Sequence, residues 1–139
     1  MTGGRFAAIV RGMTKPRCTS GRTVLVVDDE EAVRDSLREL LSGVGYRVVL
    51  AESASSAMRA VGRETPDLVL TDIYMERGDG YELIAALRRQ CGAIPVVAMS
   101  AGRAGYDTLK AALHLGADAV IDKPFPGAGL VETIDRQLA

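Results

Sequence analysis

The sequence predicts an α/β protein built on a doubly wound, five-stranded parallel sheet in the order 2-1-3-4-5. Three observations point there. Five short runs rich in Val, Leu and Ile lack a clean two-residue alternation, as expected of strands covered on both faces. A helical pattern follows each run, and strict strand–helix alternation implies a parallel sheet with helices on both sides. Short right-handed crossovers leave few topologies, and of the two common doubly wound orders five strands fit 2-1-3-4-5.

The first strand is expected at Thr23–Asp28, followed by a helix over about Glu30–Gly43. That helix carries Val33, Leu37, Leu40, Leu41 and Val44 on one stripe, and "GVGY" closes it, because glycine suits a helix C-terminus. The second strand, Arg47–Ala51, precedes a helix over about Ser53–Arg63 that opens on a capping serine and aligns Ala54, Ala57, Met58 and Val61. The third strand spans Asp67–Asp72, and the helix after it, about Tyr81–Gln90, aligns Leu83, Ile84 and Leu87. The fourth strand is Pro95–Ser100, with a helix over about Tyr106–Leu115 aligning Leu109, Ala112 and Leu113. The fifth, Asp118–Asp122, leads to a helix over about Gly127–Leu138 with Leu130, Val131, Ile134 and Leu138 on its stripe.

The 139 residues suit one domain, large enough to fold without staples. Apolar residues make up 47% and charged ones 25%, ordinary for a soluble globular chain. Cys18 and Cys91 are far apart with no CxxC spacing, which argues against a zinc site and for a reducing compartment. No apolar run approaches the ~18 residues of a membrane span, so a cytoplasmic location is expected. Residues 1–22 carry five basic side chains and no acid, while the other twelve basic residues face all 18 acids in the remaining chain. That balance of the main body gives no direct nucleic-acid surface.

Two apolar runs end abruptly on carboxylates: "VLVVDDE" on Asp28 and Asp29, and "LVLTD" on Asp72. In the 2-1-3-4-5 order, strands one and three are neighbours, and ligands bind at the C-terminal edge beside them. Three close carboxylates repel one another and raise at least one pKa unless a counter-charge is present. A hard divalent cation relieves this, and Mg²⁺ favours one or two carboxylates with water and phosphate oxygens. Strands four and five deliver Ser100 and Lys123 to the same edge. A hydroxyl and an ammonium opposite a metal are what a phosphoryl group requires.

These residues resemble the receiver domain of bacterial two-component response regulators, over Thr23 to about Leu138. "VLVVDDE" looks like its acidic metal-binding motif, "TDIYM…GDGYEL" like the segment around its phosphorylated aspartate, "VVAMSA" like the strand carrying its Ser/Thr, and "GADAVIDKPF" like its Lys-Pro motif. The resemblance implies a flavodoxin-like receiver fold and gives each residue a role. Asp72 would be the phosphoacceptor. Asp29 would bind Mg²⁺ directly, Asp28 largely through water, and Asp72 and the backbone carbonyl of Tyr74 would complete the protein ligands, with Mn²⁺ able to substitute. Ser100 would bond one phosphoryl oxygen and Lys123 pair with another, and the Lys123–Pro124 bond would be cis. The phosphoryl group would come from a histidine kinase or a histidine phosphotransfer protein. The result is a phosphoacceptor signalling domain rather than an enzyme, with phosphorylation and dephosphorylation self-catalysed and output through contact with a downstream protein target.

Three positions depart from the family's pattern. Glu76 stands where proline usually follows Met75. Val120 occupies the place of an aromatic three residues before the lysine, so output cannot run through a ring there. Tyr74 and Gly102 border the path of the attacking water in the family. Tyr106 is a candidate substitute aromatic, although a surface place at a helix start suits it better. His114 near the end of the fourth helix suits the helix dipole.

Phe6, Ile9, Val10 and Met13 fall on one helical face of the basic leader. Gly3, Gly4 and Gly12 oppose a helix, so 1–22 is expected to be a disordered extension or a short amphipathic helix, without membrane contact. The receiver occupies 23–139, and the pattern that fills the chain to Ala139 suggests a stand-alone, chemotaxis-regulator-like single-domain type. The alternative is a receiver excised from a larger transcription regulator or hybrid histidine kinase. A Mg²⁺-dependent phosphatase is disfavoured, since no DxD follows the first strand and no cap domain is present. A degenerate docking module is disfavoured by the full set of site residues.

Overall fold

Side-chain alternation along each strand sorts the core into two layers. In a computed structural model, which describes 21–75, 80–100, 106–123 and 126–139 (backbone alone over 106–109), the elements follow the expected order. They are β1 (Thr23–Val27), α1 (Glu31–Gly43), β2 (Arg47–Ala51), α2 (Ala54–Arg63), β3 (Leu68–Asp72), α3 (Gly80–Gln90), β4 (Val96–Ser100), α4 (Tyr106–Leu115), β5 (Ala119–Asp122) and α5 (Gly127–Leu138). All strand pairs are parallel, and the sheet order is β2-β1-β3-β4-β5. Several strand limits lie one residue inside those expected, although the Asp28 and Asp67 amides still donate to the Ala51 and Thr23 carbonyls of neighbouring strands.

Successive residues of a strand face opposite ways. Leu25, Val27, Val69, Val96 and Ala98 therefore pack with Ala57, Val61, Leu83, Ile84 and Leu87 from α2 and α3, and with Ala112 of α4. Val24, Val26, Leu68, Leu70, Val97 and Met99 face the other way, onto Leu37 and Leu41 of α1 and Leu130, Val131 and Ile134 of α5. The three central strands are buried throughout, while edge strands β2 and β5 are partly open.

Local signals hold where the chemistry is specific. Ser53 caps α2 in a reciprocal box with Ser56. α1 ends with Gly45 at φ 107° and Tyr46 N donating to the Leu41 carbonyl, a left-handed cap that glycine permits. One member of an expected stripe departs: Leu113 is 49% exposed, while Ala112 of the same stripe is fully buried in the core and the Leu109 side chain lies outside what is described. A ten-residue helix on the sheet's edge buries a narrow face, and Leu113 lies beyond it. His114 lies exposed in the last turn of α4 as expected, and Cys91 is a free thiol. No helix among the described residues is long and apolar enough to cross a membrane. The expectations for the leader over 1–20, Cys18, Glu76, Gly102, the Tyr106 side chain and Pro124 with its peptide bond fall outside what is described.

Candidate functional site

Register brings the polar strand ends together. β1 pairs β3 through Val27↔Thr71, β3 pairs β4 through Asp72↔Met99, and β4 pairs β5 through Ser100↔Asp122. The residues at or just past these C-terminal ends are Asp28 and Asp29, Asp72, Ser100 and Lys123. They meet at one corner of the sheet edge. One carboxylate oxygen from each of Asp28, Asp29 and Asp72 lies within 4.8 Å of the other two. An all-oxygen donor set of three carboxylates matches a hard divalent cation rather than a soft one.

Asp28 is fully buried and its bonds are specific. Its amide donates to the Ala51 carbonyl at 3.1 Å, its Oδ1 accepts from the Glu30 amide at 2.9 Å, and its Oδ2 lies 3.0 Å from Lys123 Nζ. Lys123 also stands 3.5 Å from Asp72 Oδ2, and its own amide donates to the Ser100 carbonyl at 2.6 Å. Lysine thus pairs with two carboxylates of the cluster, a contact the sequence reading assigned only to a phosphoryl oxygen.

Burial pushes the Asp72 carboxyl above its ordinary value, and the Asp28 charge adds to this against the opposing pull of Lys123 and the Tyr74 amide. The expected rise within the cluster is therefore present, with desolvation as its main cause and like-charge repulsion second. Burial alone would lower the Lys123 ammonium, but the hydrogen bond and charge of Asp28, with the charge of Asp72, hold it above its ordinary value.

The loop after β3 is anchored at both ends. Ile73 N donates to Met99 O at 2.9 Å, and Gly80 N donates to Ile73 O at 2.7 Å. A Cβ at Gly80 would collide with the Asp72 carbonyl oxygen and stand 2.8 Å from Ile73 Cα, so only glycine fits. Tyr74 is half exposed, and its ring meets Tyr81 edge-on at 6.3 Å and 86°. Ser100 is fully buried at the end of β4. Val120 sits on β5 opposite Ala98, half-buried against the α2–α4 side of the core.

Two contributors were missed in the sequence. Gly80 has no role in the sequence beyond its place in "GDGYEL"; its signal is a glycine opening a helix eight residues after Asp72. Arg34 donates through Nη1 to the Asp28 carbonyl at 2.7 Å. It stands next to Val33 of the α1 stripe, and the helical period does not mark it out.

The family model for the response regulator receiver domain matches residues 24–135. The chain belongs to the response regulator receiver family. Its relatives include the KDP operon transcriptional regulatory protein KdpE of Escherichia coli (strain K12), 42% identical over 102 residues, which cover 73% of this chain and 44% of KdpE. The chain thus spans less than half the length of that curated relative. Among solved structures, the receiver domain of NtrX from Brucella abortus is 34% identical with TM-score 0.79, covering 83% of this chain and 97% of that one. The chemotaxis protein CheY4 of Vibrio cholerae is 25% identical with TM-score 0.80, covering 86% and 100%. As a receiver, the chain is a two-component signalling domain with a CheY-like fold.

Proposed function

We propose that this receiver accepts a phosphoryl group on Asp72 in a Mg²⁺-dependent reaction. The observation that carries the reading is the convergence of Asp28, Asp29 and Asp72 within 4.8 Å beside Lys123. In the transfer, a carboxylate oxygen of Asp72 attacks phosphorus. The P–N bond to a donor histidine breaks as the P–O bond forms, and the electron pair returns to the imidazole. Such transfer is mostly positioning and charge neutralisation. Asp29, Asp72 and the Tyr74 carbonyl, with Asp28 through water, would hold a divalent cation, which would supply positive charge to the phosphoryl oxygens. Lys123 turns its ammonium from Asp28 and Asp72 to a phosphoryl oxygen, and the Ser100 hydroxyl donates to another.

The donor in this reading is a histidine kinase or histidine phosphotransfer protein, placing the chain in the cytoplasm. Output is a phosphorylation-dependent contact with a downstream protein. Val120 leaves β5 without a ring to reorient, so the signal passes through Ser100 and the segment after it. A stand-alone receiver and one joined to an output domain share this chemistry, and the intact mass of the native gene product separates them. Incubation with acetyl phosphate tests the reading. Phosphoryl incorporation requires Mg²⁺, stops in EDTA and is absent in Asp72→Asn; labelling that persists in either condition contradicts it.

A further inference from the structure

The Asp28 carbonyl is held by a side chain from the helix that follows it. Arg34 stands half-buried in the first turn of α1 and donates through Nη1 to that oxygen at 2.7 Å. We propose that Arg34 is a positioning residue of the phosphorylation site, fixing the β1–α1 corner so that the Asp29 carboxylate faces the cation. The inference rests on the metal-dependent reading above.

The reasoning starts from peptide geometry. The carbonyl of Asp28 and the amide and Cα of Asp29 share one planar unit, so holding the oxygen sets the direction in which Asp29 leaves the strand. The residues on either side are already fixed. The Asp28 amide is pinned to Ala51 of β2, and its Oδ1 accepts from the Glu30 amide. Lys123 holds Oδ2. Arg34 then acts on the Asp28–Asp29 peptide itself, with a charge-assisted bond to the buried Asp28 carbonyl. The helix anchors the arginine in turn, since Arg34 N donates to Glu30 O at 3.1 Å.

Charge and positioning give opposite signs for the loss of Arg34. A guanidinium beside an acidic cluster repels an incoming cation, so removing it should tighten Mg²⁺ binding if charge were its only effect. Removing a positioning bond should weaken binding.

The experiment measures the Mg²⁺ dissociation constant of the full chain by amide chemical-shift titration. Wild type, Arg34→Met and Arg34→Lys are compared. Arg34→Met keeps the stem but has no donor. It should bind Mg²⁺ about tenfold more weakly, the worth of one hydrogen bond to a charged group. Arg34→Lys, with one donor in reach, recovers most of that loss. Arg34→Gln, a milder neutral change, is read in the same way should the Met variant not fold, and binds more weakly than wild type. Equal or tighter binding in a folded neutral variant overturns the assignment of Arg34 alone. A wild type with no Mg²⁺-dependent shifts at Asp28, Asp29 and Asp72 overturns the metal reading, and this inference with it.

Discussion

Lys123 Nζ lies 3.0 Å from Oδ2 of Asp28, an ion pair between the far end of β5 and a fully buried carboxylate past β1. The pair spans two intervening strands and puts a cation of the protein's own inside the acidic corner. Breaking a buried pair from one side leaves an uncompensated charge, which is costly. The structure therefore makes Lys123 both a stabiliser of the resting domain and a competitor of any added cation.

Lys123→Met should lower unfolding free energy in EDTA by about 2 kcal/mol, less than a fully enclosed pair because the lysine keeps some access to water. The same variant should bind Mg²⁺ more tightly than wild type, since one competing cation is gone. Urea unfolding with and without Mg²⁺ measures both effects. Equal stability in EDTA would show that the pair contributes nothing. The raised lysine pKa gives the pH sign: its contribution is complete below the ordinary lysine value and is lost as pH rises through the raised one.

Asp72 shows the same pH sign from the opposite cause, because burial disfavours its charged form. Its carboxyl, raised by burial above the ordinary 3.8, binds more protons folded than unfolded between the two values. Stability should therefore fall as pH rises through that window. In EDTA, wild type should lose stability relative to Asp72→Asn as the pH climbs from about 4 into the raised range, because the amide does not titrate. Parallel pH curves for the two proteins would contradict a raised carboxyl.

Asp29→Ala should lose most Mg²⁺ affinity while keeping the fold, because a carboxylate past a strand end supports little packing. Its removal takes one negative charge from the cluster, so its melting temperature in EDTA should match or exceed that of wild type. Thermal unfolding monitored by circular dichroism decides it. A variant melting well below wild type without metal would mean that Asp29 is structural.

Gly80→Ala places a methyl group against main-chain atoms of Asp72 and Ile73 that cannot move aside. It should cost about 3 kcal/mol, at the upper end for overpacking. Acetyl phosphate labelling of whatever folds should also fall. A stability loss under 1 kcal/mol would show that the loop relaxes around the new methyl.

The strand ends were legible because period and punctuation agree. Val24–Val27 and Leu68–Leu70 are apolar throughout and stop on carboxylates, and the sheet order alone then makes Asp28 and Asp72 neighbours. Leu113 was misread because a helical stripe says which residues align, not how wide a face the sheet's edge will cover. Gly80 and Arg34 escaped for a different reason. Each acts on a main-chain carbonyl, and neither a close approach nor a bond to a carbonyl leaves a period in the sequence. The partner of Lys123 in the resting domain was hidden too, because pairing between Asp28 and Lys123 depends on side-chain reach across the strand ends and not on register.

The phosphorylated position can be read directly. Borohydride reduces an acyl phosphate on aspartate to homoserine, so the modified position can be read by peptide mass mapping after labelling with acetyl phosphate and Mg²⁺. Homoserine at position 72, lost in EDTA, is the predicted result. Reduction at Asp28, Asp29 or any other carboxylate, with Asp72 intact, would contradict it.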